Sequence, residues 1–335
     1  MTKLPLVSVH MITYNHAPFI VKAIDGVLHQ KTNFLFELII GEDWSTDGTR
    51  DIVLEYQKKF PEIIRVITSD ENVGMKQNSY RTMKACRGKY IAYCEGDDYW
   101  HNPLKLQKQV DYLNDHPECG LVYSSYDVYL VESGKLIKDY KKYRNVEPPE
   151  NPCISDLIEK WGVAVGIVTC TVMMRRNLCE ELSDADPYLH QSNHFLMGDT
   201  QLWAETATKS NLHYIPDSLA TYNISAESAS RSKHVIKSLR FSISCSELFL
   251  YLCKKYDLSP SIREEHEDCW CDSSLRLAVR TRNQDLAAKV RNIKKTFSLK
   301  EWLRYLGACN ILVHYTYRAS VSLLNLFRKE RNRWI

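Results

Sequence analysis

The chain has 335 residues, of which 44% are hydrophobic and 25% are charged, and its formal net charge is only +3. This composition is typical of a globular protein with one large domain or two domains. It excludes a disordered or collagen-like chain, and the small net charge argues against a dedicated nucleic-acid binder.

The amino terminus and the cysteines set further limits. No charged segment followed by a long apolar run opens the chain, which predicts no secretory signal and an intracellular protein. The eleven cysteines are scattered without a CxxC pair, which favours reduced thiols over a disulfide framework. Because no run of 18 apolar residues is present, the sequence predicts no transmembrane helix.

Strands and helices alternate over the first hundred residues. Apolar, β-branched runs predict strands, and apolar residues at helical spacing predict the helices between them. The predicted strands are Leu6–Ile12, Phe36–Gly41, Ile63–Thr68 and Lys89–Cys94, and the predicted helices are Ala17–Gln30, Thr49–Phe60 and Lys76–Cys86. This alternation predicts an α/β fold with βαβ units and a parallel sheet covered on both faces.

The rest of the chain is less regular and then becomes helical. Further strands are predicted at Gly120–Leu130 and from Tyr214, with a loop reaching Ser232, and Gly162–Arg175 is predicted as a long apolar strand or a strand-like core segment. From residue 233 onward the pattern predicts a helical region, with helices at Val235–Tyr256, Pro260–Arg282, Asp285–Phe297 and Lys300–Arg331. We therefore expect a catalytic domain over residues 1–232 and a helical extension over residues 233–335.

Polar residues gather where three of the predicted strands end. These clusters are TYNH (residues 13–16), EDWSTDGT (residues 42–49) and EGDDYW (residues 95–100). Because ligands of open α/β sheets bind beyond the carboxyl ends of the strands, the clusters predict one shared cleft. Some of these residues also fit structural roles: Asp47 suits a helix cap, and Asn15 is equally well explained as a turn residue.

Three carboxylates stand almost side by side after the fourth predicted strand, at Glu95, Asp97 and Asp98. Like charges this close repel one another, and burial removes their hydration, so a cation is expected among them. Hard oxygen ligands suit Mg²⁺ or Mn²⁺, which commonly bind phosphate oxygens as well. The cluster thus predicts a divalent metal that carries a nucleotide diphosphate.

Taken together, these motifs resemble those of the family 2 glycosyltransferases, which have the GT-A fold. The resemblance is carried by V-S-V-x-M-I-T-Y-N, E-D-x-S-T-D-G-T, E-N-V-G and R-G-K-Y-I-A-Y-C-E-G-D-D in this order. It covers residues 5 to about 230 and is strongest over the first 115. It implies a Rossmann-like mixed sheet and an inverting transferase that uses a nucleotide-diphosphate sugar, commonly a UDP-sugar, with Mg²⁺ or Mn²⁺.

The resemblance also implies roles for single residues. The predicted donor half is residues 1–115, and residues 116–232 form the acceptor half. The implied metal ligand is Asp98, with Glu95 as a weaker candidate, and Asp97 is placed near the ribose. The other implied donor contacts are Thr13, Tyr14 and Asn15 at the nucleoside, Asp43 with Glu42 at the base, and Asn72, Gly74 and Asn78 beside the donor. For Asn72 and Gly74 a tight turn is an equally good explanation.

The chain departs from the family pattern at three positions. Glu42 and Glu95 stand where Asp is usual, which keeps the charge but lengthens the side chain. Trp44 stands where Gly is usual, and packing against the turn is one explanation for it. These departures leave the choice of metal ligand among the carboxylates open.

An inverting transfer needs a base that accepts the proton of the attacking hydroxyl. From local sequence, Asp199 in MGDTQLW is as well explained by capping the predicted helix that follows as by catalysis. The resemblance implies that Asp199 is the base, with Glu205 as second choice. His190 and His194 are expected to lie on the surface or in an acceptor loop, and Arg231 is either a diphosphate contact or part of a plain loop.

The C-terminal region is basic and partly apolar. From Arg231 onward 21 Lys and Arg face 10 Asp and Glu, and the last predicted helix is apolar over most of its length. These features predict a peripheral contact with an anionic membrane surface, with packing on the catalytic domain or homodimerisation as the alternative. The implied acceptor is a polysaccharide or lipid-linked glycan at the inner face of the cell membrane. A metal-dependent nucleotidyltransferase and a non-catalytic nucleotide-sugar-binding subunit are the alternative functions.

Overall fold

A computed structural model describes residues 4–162, 165–225 and 234–317 of the chain. The chain divides into two compact units, Met1–Ala226 and Glu227–Ile335. The first unit is α/β and the second is helical, which agrees with the predicted fold class.

The first unit is built on one mixed sheet. Its strands in the described residues are β1 Val7–Thr13, β2 Phe36–Glu42, β3 Ile64–Ile67, β4 Tyr90–Tyr93, β5 Tyr99–Trp100, β6 Cys119–Leu130, β7 Lys135–Ile137, β8 Met173–Arg175 and β9 Asn211–Ile224. Their order is β3-β2-β1-β4-β8-β6-β9-β5, and β7 pairs with β6. The pairs among β1 to β4 are parallel, as predicted, whereas β8 is antiparallel to both β4 and β6.

The helices of the first unit follow the strands in the predicted alternation. They are α1 Ile20–Leu28, α2 Thr49–Lys59, α3 Met75–Ala85, α4 Lys105–Asp115, α5 Tyr140–Tyr143, α6 Ile154–Ile158, α7 Arg176–Ala185, α8 Pro187–His190 and α9 Thr200–Thr206. The core lies on the central strands, where Val9, Leu38 and Ala92 are wholly buried. Strands buried on both faces explain the continuous apolar runs of the sequence.

The segment Gly162–Arg175 is not the long apolar strand that the sequence predicts. Among the described residues of this segment, only Met173–Arg175 forms a strand, and Thr169–Thr171 forms a 3₁₀ turn before it. The Thr171 hydroxyl donates to Val168 O at 2.7 Å, and Trp100 Nε1 donates to Cys170 O at 2.8 Å. The prediction was wrong because local hydroxyl bonds and side chains from distant elements replace the ladder that a strand would need.

The second unit contains four long helices in its described residues. They are α10 Val235–Lys255, α11 Pro260–Thr281, α12 Gln284–Ile293 and α13 Leu299–Cys309. Buried Trp270, Leu275 and Val290 pack with smaller side chains to form its core. In the part of the chain that the structure describes, no helix has both the length and the apolar character needed to cross a bilayer.

The predicted helix Lys300–Arg331 is interrupted at Asn310. This residue has extended backbone (φ −124°, ψ 128°), and its Oδ1 accepts from Leu312 N at 2.9 Å and Val313 N at 3.3 Å. Asparagine is a favourable N-cap, so a second helical segment begins here and occupies residues 311–317. The remainder of the predicted helix lies outside the described residues.

Candidate active site

The three polar clusters meet at the carboxyl edge of the sheet. Thr13 O accepts from Asp43 N at 3.1 Å, which joins the ends of β1 and β2. Gly96 N donates to Ile12 O at 3.0 Å, which brings the acidic segment against β1. A Cβ atom on Gly96 would lie 2.6 Å from Thr13 Oγ1, so only glycine permits this close approach. The shared cleft predicted from strand ends therefore has a physical basis.

The loops after β1 and β2 are held together by side chains. Asn15 N donates to Ser45 Oγ at 3.0 Å, and Thr46 N donates to Asn15 Oδ1 at 2.9 Å. Asp47 accepts from Ala17 N at 2.9 Å and from Thr49 N at 3.0 Å, where α2 begins. The N-cap residue of α2 is Gly48, so Asp47 binds the first N–H of the helix from the position before the N-cap, and Asn15 joins the two loops. Neighbouring Tyr14 is exposed at the surface of this loop pair.

Trp44 occupies a strained backbone position in the second loop. Its φ is +65°, in the left-handed region that favours glycine. The side chain is exposed, and the guanidinium carbon of Arg50 lies 5.0 Å from its ring centroid. The positive φ explains why the family usually has glycine at this position. The exposed ring of Trp44 is held by a cation–π contact with Arg50.

Asp43 is buried and holds the segment between β3 and α3. Its two oxygens accept from Val73 N at 2.9 Å and Gly74 N at 3.0 Å, and its carbonyl accepts from Asn72 Nδ2 at 3.0 Å. Gly74 has φ +86° and ψ 157°, which a side chain would strain. The turn explanation for Asn72 and Gly74 is thus supported. Glu42 is also buried, with Oε1 accepting from Ser45 N at 2.6 Å.

The predicted donor contact from Asn78 is not available in this structure. The residue is 2% exposed, its Nδ2 donates to Gly41 O at 2.7 Å, and its Oδ1 accepts from Arg81 Nε at 2.9 Å. Arg81 in turn donates to Glu42 O at 2.9 Å. Asn78 therefore supports the end of β2 from inside the unit, and its burial keeps the amide from a ligand in this structure.

Asp97 and Asp98 have different environments although they are adjacent. The Asp97 side chain is 37% exposed, and His16 Nδ1 lies 4.0 Å from its Oδ1. Asp98 is buried, and its Oδ1 accepts from Asn223 N of β9 at 2.8 Å. Burial and the charge of Asp97 raise the pKa of Asp98 well above its usual range, against the lowering effect of the Asn223 N–H. Asp97 is thus the member of the pair that solvent and ligands can reach.

Glu95 links the acidic segment to the candidate base. Burial, followed by the charges of Asp97, Asp98 and Asp199, raises the pKa of Glu95 well above its usual range. Thr169 Oγ1 donates to Asp199 at 2.6 Å, and the carbonyl of the next residue, Cys170, accepts from Trp100 Nε1 at 2.8 Å, so the contacts of Asp199 lead to the strand that directly follows the acidic segment. The structure thereby brings together residues 95–98 and Asp199, which are a hundred positions apart in the sequence.

The Asp199 carboxylate is fixed at the start of α9. Its Oδ2 accepts from Thr169 Oγ1 at 2.6 Å, and its Oδ1 accepts from Thr200 N at 2.6 Å and Thr200 Oγ1 at 3.2 Å. The residue is half-buried and is the N-cap of the helix. The capping explanation is supported by these contacts, and they also give the carboxylate a defined orientation.

The start of α3 holds the segment that leads to Asp199. Lys76 Nζ donates to Leu189 O at 3.2 Å, and Gln77 Nε2 donates to Gln191 O at 2.9 Å. A Cβ on Gly198 would lie 2.7 Å from Met75 Cε, so this segment packs closely on α3. Donor-half and acceptor-half elements are therefore in direct contact beside the cleft.

The His190 side chain is buried, contrary to the expectation that it lies at the surface. Its Nε2 lies 2.5 Å from Glu205 Oε2, and the two side chains are 5% and 1% exposed. The pair joins α8 to α9 inside the unit because each group supplies the hydrogen-bond partner that burial requires. Glu205, the second choice for the base, is therefore closed to an acceptor in this structure, whereas His194 is exposed as expected.

The chemistry of the acidic segment fits a divalent cation. Among the described residues, no lysine or arginine pairs with Glu95, Asp97 or Asp98, and His16 is the basic group in range. Within the same residues no three His, Cys, Asp or Glu side chains are arranged as a complete metal site. The segment thus offers hard oxygen ligands for a cation, but not enough of them to hold it without a ligand.

Sequence reasoning missed three residues of the site. His16 faces Asp97, Thr169 orients Asp199, and Asn223 binds the acidic segment through its backbone N–H and through Nδ2, which donates to Asp97 O at 2.5 Å. The TYNH motif gave a signal for His16. Thr169 and Asn223 gave none, because their contacts come from the tertiary fold. Arg231 lies outside the described residues.

Comparison with protein families gives an independent result. The model of Glycosyl transferase family 2 matches residues 8–183 of the chain. An uncharacterized protein of Mycobacterium tuberculosis is 42% identical over 128 residues, which are 38% of this chain and 37% of that protein. The putative teichuronic acid biosynthesis glycosyltransferase TuaG of Bacillus subtilis is 34% identical over 134 residues, 40% of this chain and 52% of that protein. The matched segments thus span about half or less of these curated relatives.

Solved structures agree in fold. The structure of TarS residues 1–349 from S. aureus with UDP-GlcNAc has a TM-score of 0.54 and 17% identity, and the match covers 90% of this chain and 79% of that one. The mannosyltransferase PcManGT from Pyrobaculum calidifontis with GDP-Man and Mn²⁺ has a TM-score of 0.57 and 16% identity, covering 99% and 83%. At these identities the likeness concerns the fold, and it confirms the expected GT-A architecture.

Proposed function

Because the chain belongs to glycosyltransferase family 2, we propose that it transfers a sugar from a nucleotide-diphosphate donor to an acceptor hydroxyl with inversion at the anomeric carbon. One observation supports this proposal above the others. The carboxylates of residues 95–98 lie at the carboxyl edge of the sheet, and Asp199 is bonded to Thr169, whose neighbour Cys170 accepts from Trp100 directly after the acidic segment. This arrangement supports a diphosphate-binding group and a base beside one cleft.

The donor is assigned to the loops after β1 and β2 and to the acidic segment. Exposed Tyr14 is available to the nucleoside, whereas Thr13 is 2% exposed and its Oγ1 is buried, so the predicted contact from Thr13 is not available in this structure. Asp43 with Glu42 fixes the loop that would read the base. A UDP-sugar is the first donor class to test, since the family commonly uses one and a TarS structure contains UDP-GlcNAc. The PcManGT structure contains GDP-Man, so the base stays open to experiment.

The metal contact is assigned to Asp97, with Glu95 and Asp98 adding negative charge around it. The resemblance alone favours Asp98, but Asp98 is buried against β9 whereas Asp97 is exposed to the cleft. Mg²⁺ or Mn²⁺ would supply positive charge to the diphosphate leaving group when bound. The donor phosphates would complete the coordination that the protein carboxylates leave incomplete.

Asp199 is the proposed general base. As the acceptor oxygen forms its bond to the anomeric carbon, the bond to the diphosphate oxygen breaks and the hydroxyl proton passes to the Asp199 carboxylate. Thr169 and Thr200 hold this carboxylate in one orientation through three hydrogen bonds. Defined orientation matters because proton transfer requires hydrogen-bond contact with the attacking hydroxyl.

The proposed acceptor is a growing polysaccharide or a lipid-linked glycan, and the C-terminal unit is the proposed contact with an anionic membrane. Its last described helices expose seven large apolar side chains: Leu299, Trp302, Leu303, Leu306, Ile311, Leu312 and Tyr315. Apolar side chains beside a surplus of basic residues are typical of helices that lie in the membrane interface. This contact would hold the enzyme at the inner face of the cell membrane.

A liposome experiment tests the membrane contact. The double variant Trp302→Ser and Leu306→Ser should lose most co-sedimentation with phosphatidylglycerol vesicles, because each change removes exposed apolar area. Val235→Ser with Ile236→Ser is the matched control, since these side chains are exposed on α10. Equal pelleting of both double variants would remove the membrane proposal, and a shift from dimer to monomer in the first variant would favour homodimerisation instead.

A donor screen tests the enzyme itself. Thermal unfolding is measured with UDP, GDP and their sugars, with and without Mn²⁺, because a ligand that binds the native state stabilises it by mass action. Release of the nucleoside diphosphate supports sugar transfer, whereas release of pyrophosphate identifies a nucleotidyltransferase. Binding without any turnover in the presence of glycan acceptors identifies a binding subunit. The enzyme proposal fails if no nucleotide-sugar binds at about millimolar concentration, which corresponds to about 4 kcal/mol.

Two single substitutions distinguish the candidate metal ligands. Asp97→Asn should weaken Mn²⁺-dependent nucleotide binding at least tenfold, because it removes the exposed charge. Asp98→Asn should change it less, because the amide keeps the bond to Asn223 N. Calorimetry with UDP and Mn²⁺ measures both affinities. The reverse order would return the metal contact to Asp98.

A further inference from the structure

A basic and aromatic surface surrounds the short helix α5, away from the residues assigned above. Its exposed members are four cations and one tyrosine: Lys135, Lys138, Lys142, Tyr143 and Arg144. Residues 135–144 contain five Lys and Arg and one Asp. In the described residues none of the four exposed cations forms an ion pair. We name these residues, together with Tyr140, the α5 patch.

The aromatic part of the α5 patch is a row of three rings. The Tyr126 and Tyr140 centroids are 5.8 Å apart at 34°, and the Tyr140 and Tyr143 centroids are 6.1 Å apart at 26°. Tyr126 is buried at the inner end of the row, whereas Tyr143 is 63% exposed at the outer end. The Arg144 guanidinium carbon lies 6.0 Å from the Tyr140 centroid. The outer face of the row therefore combines an exposed aromatic ring with cations that form no ion pair within the described residues.

The patch is anchored firmly to the sheet. Buried Lys141 donates to Val165 O and lies over the rings of Tyr123 and Tyr214. The Asp139 carboxylate accepts from Ser125 Oγ at 2.5 Å, and Asp139 N donates to Asp127 at 2.9 Å. Asp139 has a positive φ of 43° before the helix. Strained backbone of this kind persists where the surroundings fix it, often at binding sites.

The patch lies at the edge of the sheet that carries the candidate active site. Asp127 pairs in register with Thr221 of β9, and Asn223, two residues further along β9, donates to Asp98. At about 3.3 Å per residue and about 4.8 Å between strands, Asp127 and Asp98 are roughly 10 Å apart. A chain of a few sugars that leaves the cleft can therefore reach the patch.

We propose that the α5 patch binds an acidic polysaccharide, which would be the acceptor chain of the proposed transferase. Sugar C–H groups carry partial positive charge and pack on the negative faces of tyrosine rings. Carboxylate or phosphate groups along the chain would pair with Lys138, Lys142 and Arg144. Only the identification of this polysaccharide as the acceptor rests on the proposed function, because binding of the polysaccharide can be measured without sugar transfer.

Affinity electrophoresis in native gels tests the proposal with polygalacturonate as the acidic probe and dextran as the neutral probe. The chain should be retarded by polygalacturonate and much less by dextran. Tyr143→Ala, and separately Lys142→Ala with Arg144→Ala, should each weaken polygalacturonate binding at least tenfold. Lys58→Ala with Lys59→Ala is the matched control, since it removes the same charge from exposed positions of α2 and should change little.

The proposal would be overturned if polygalacturonate retarded the patch variants and the control variant equally, or if dextran retarded the chain as strongly as polygalacturonate does. It would also be overturned if the patch variants lost binding to phosphatidylglycerol vesicles as strongly as they lost binding to polygalacturonate, because the patch would then be a membrane contact. Thermal unfolding of each variant checks that it is folded, and Lys142→Glu gives a second test by charge reversal. Stabilisation by UDP or GDP with Mn²⁺ should be unchanged in all variants. If no nucleotide and no nucleotide-sugar stabilised the unaltered chain, the proposed function would be refuted and the patch result would stand.

Discussion

Among single residues, Asp199 and Asp97 differ in what surrounds them. Asp199 accepts hydrogen bonds from Thr169 and Thr200, whereas the nearest basic group to Asp97 is His16 at 4.0 Å. A carboxylate held by hydroxyls suits proton transfer, and an exposed carboxylate without a lysine or arginine suits a metal ion. The two residues should therefore fail in different ways when their charge is removed.

Asp199→Asn should lower turnover by about two to four orders of magnitude, the usual contribution of a general base. Nucleotide binding should be nearly unchanged, because the asparagine side chain would still cap α9 and the donor loops are untouched. Rate measurements and calorimetry with UDP and Mn²⁺ separate the two effects. Asp184→Asn is the control, since this exposed carboxylate pairs with Lys84 at 2.6 Å outside the site. A turnover loss in both variants, or an equal loss of UDP affinity in Asp97→Asn and Asp199→Asn, would contradict the assignment.

Among the elements, α13 has the best-defined start in the second unit. Ser298 Oγ accepts from Glu301 N at 3.4 Å, and Glu301 Oε2 accepts from Ser298 N at 2.8 Å, which is a capping box. Lys294 Nζ lies 3.0 Å from Glu301 Oε1. Although partial burial opposes it, these groups lower the pKa of Glu301 to about 2. Glu301 therefore contributes stability above its ordinary pKa near 4.5, which is lost as the pH falls towards 2.

Ser298→Ala should reduce the free energy of unfolding of the second unit by about 1 kcal/mol, the usual cost of losing an N-cap. Urea unfolding followed by circular dichroism at neutral pH measures this change. Ser259→Ala is the matched control, because Ser259 is the N-cap residue of α11 but makes no capping hydrogen bond. Equal losses at the two positions would show that the capping box adds nothing to the stability of α13.

Across the whole molecule, buried lysines make the free energy of unfolding depend on pH. Burial lowers the pKa of Lys105 to about 7 and the pKa values of Lys76 and Lys141 to about 8, from 10.5. Burial also raises the pKa values of Cys119 and Cys179 to about 11 from 9.0. These buried lysines and these buried cysteines all belong to the first unit. As the pH rises, the lysines increase the free energy of unfolding and the cysteines decrease it.

The first unit should be most stable near pH 9. Between about pH 7 and 9 the unfolded chain binds more protons through its lysines, so stability rises with pH. Above pH 9 the unfolded chain loses thiol protons that the folded state keeps. Stability then falls because the buried thiols with raised pKa values outnumber the three lysines; they are Cys86, Cys94, Cys119, Cys170 and Cys179. Urea midpoints from pH 6.5 to 10.5 under reducing conditions measure the curve. Lys105→Met should flatten the rise while exposed Lys58→Met should not, and a midpoint that falls steadily from pH 7 would contradict the prediction.

The sequence by itself determined the α/β class, the parallel strands β1 to β4 and the carboxyl-edge position of three polar clusters. These features follow from local periodicity and from the rule that parallel strands end at one edge. The helical C-terminal unit follows from the same periodicity, although Asn310 divides its last helix. The membrane contact and the role of each site residue stay predictions.

Only the tertiary structure decided which polar residues face the cleft. Asp97 and Asp98 are indistinguishable in sequence, yet pairing of β9 beside them buries Asp98 through Asn223 and leaves Asp97 exposed. His190 is expected at the surface or in an acceptor loop and Glu205 as the second choice for the base, but the packing of α8 and α9 buries both side chains. Side-chain burial depends on elements a hundred residues away, so no local pattern carries it. Thr169 reaches Asp199 for the same reason: the fold, and not the sequence spacing, sets their 2.6 Å contact.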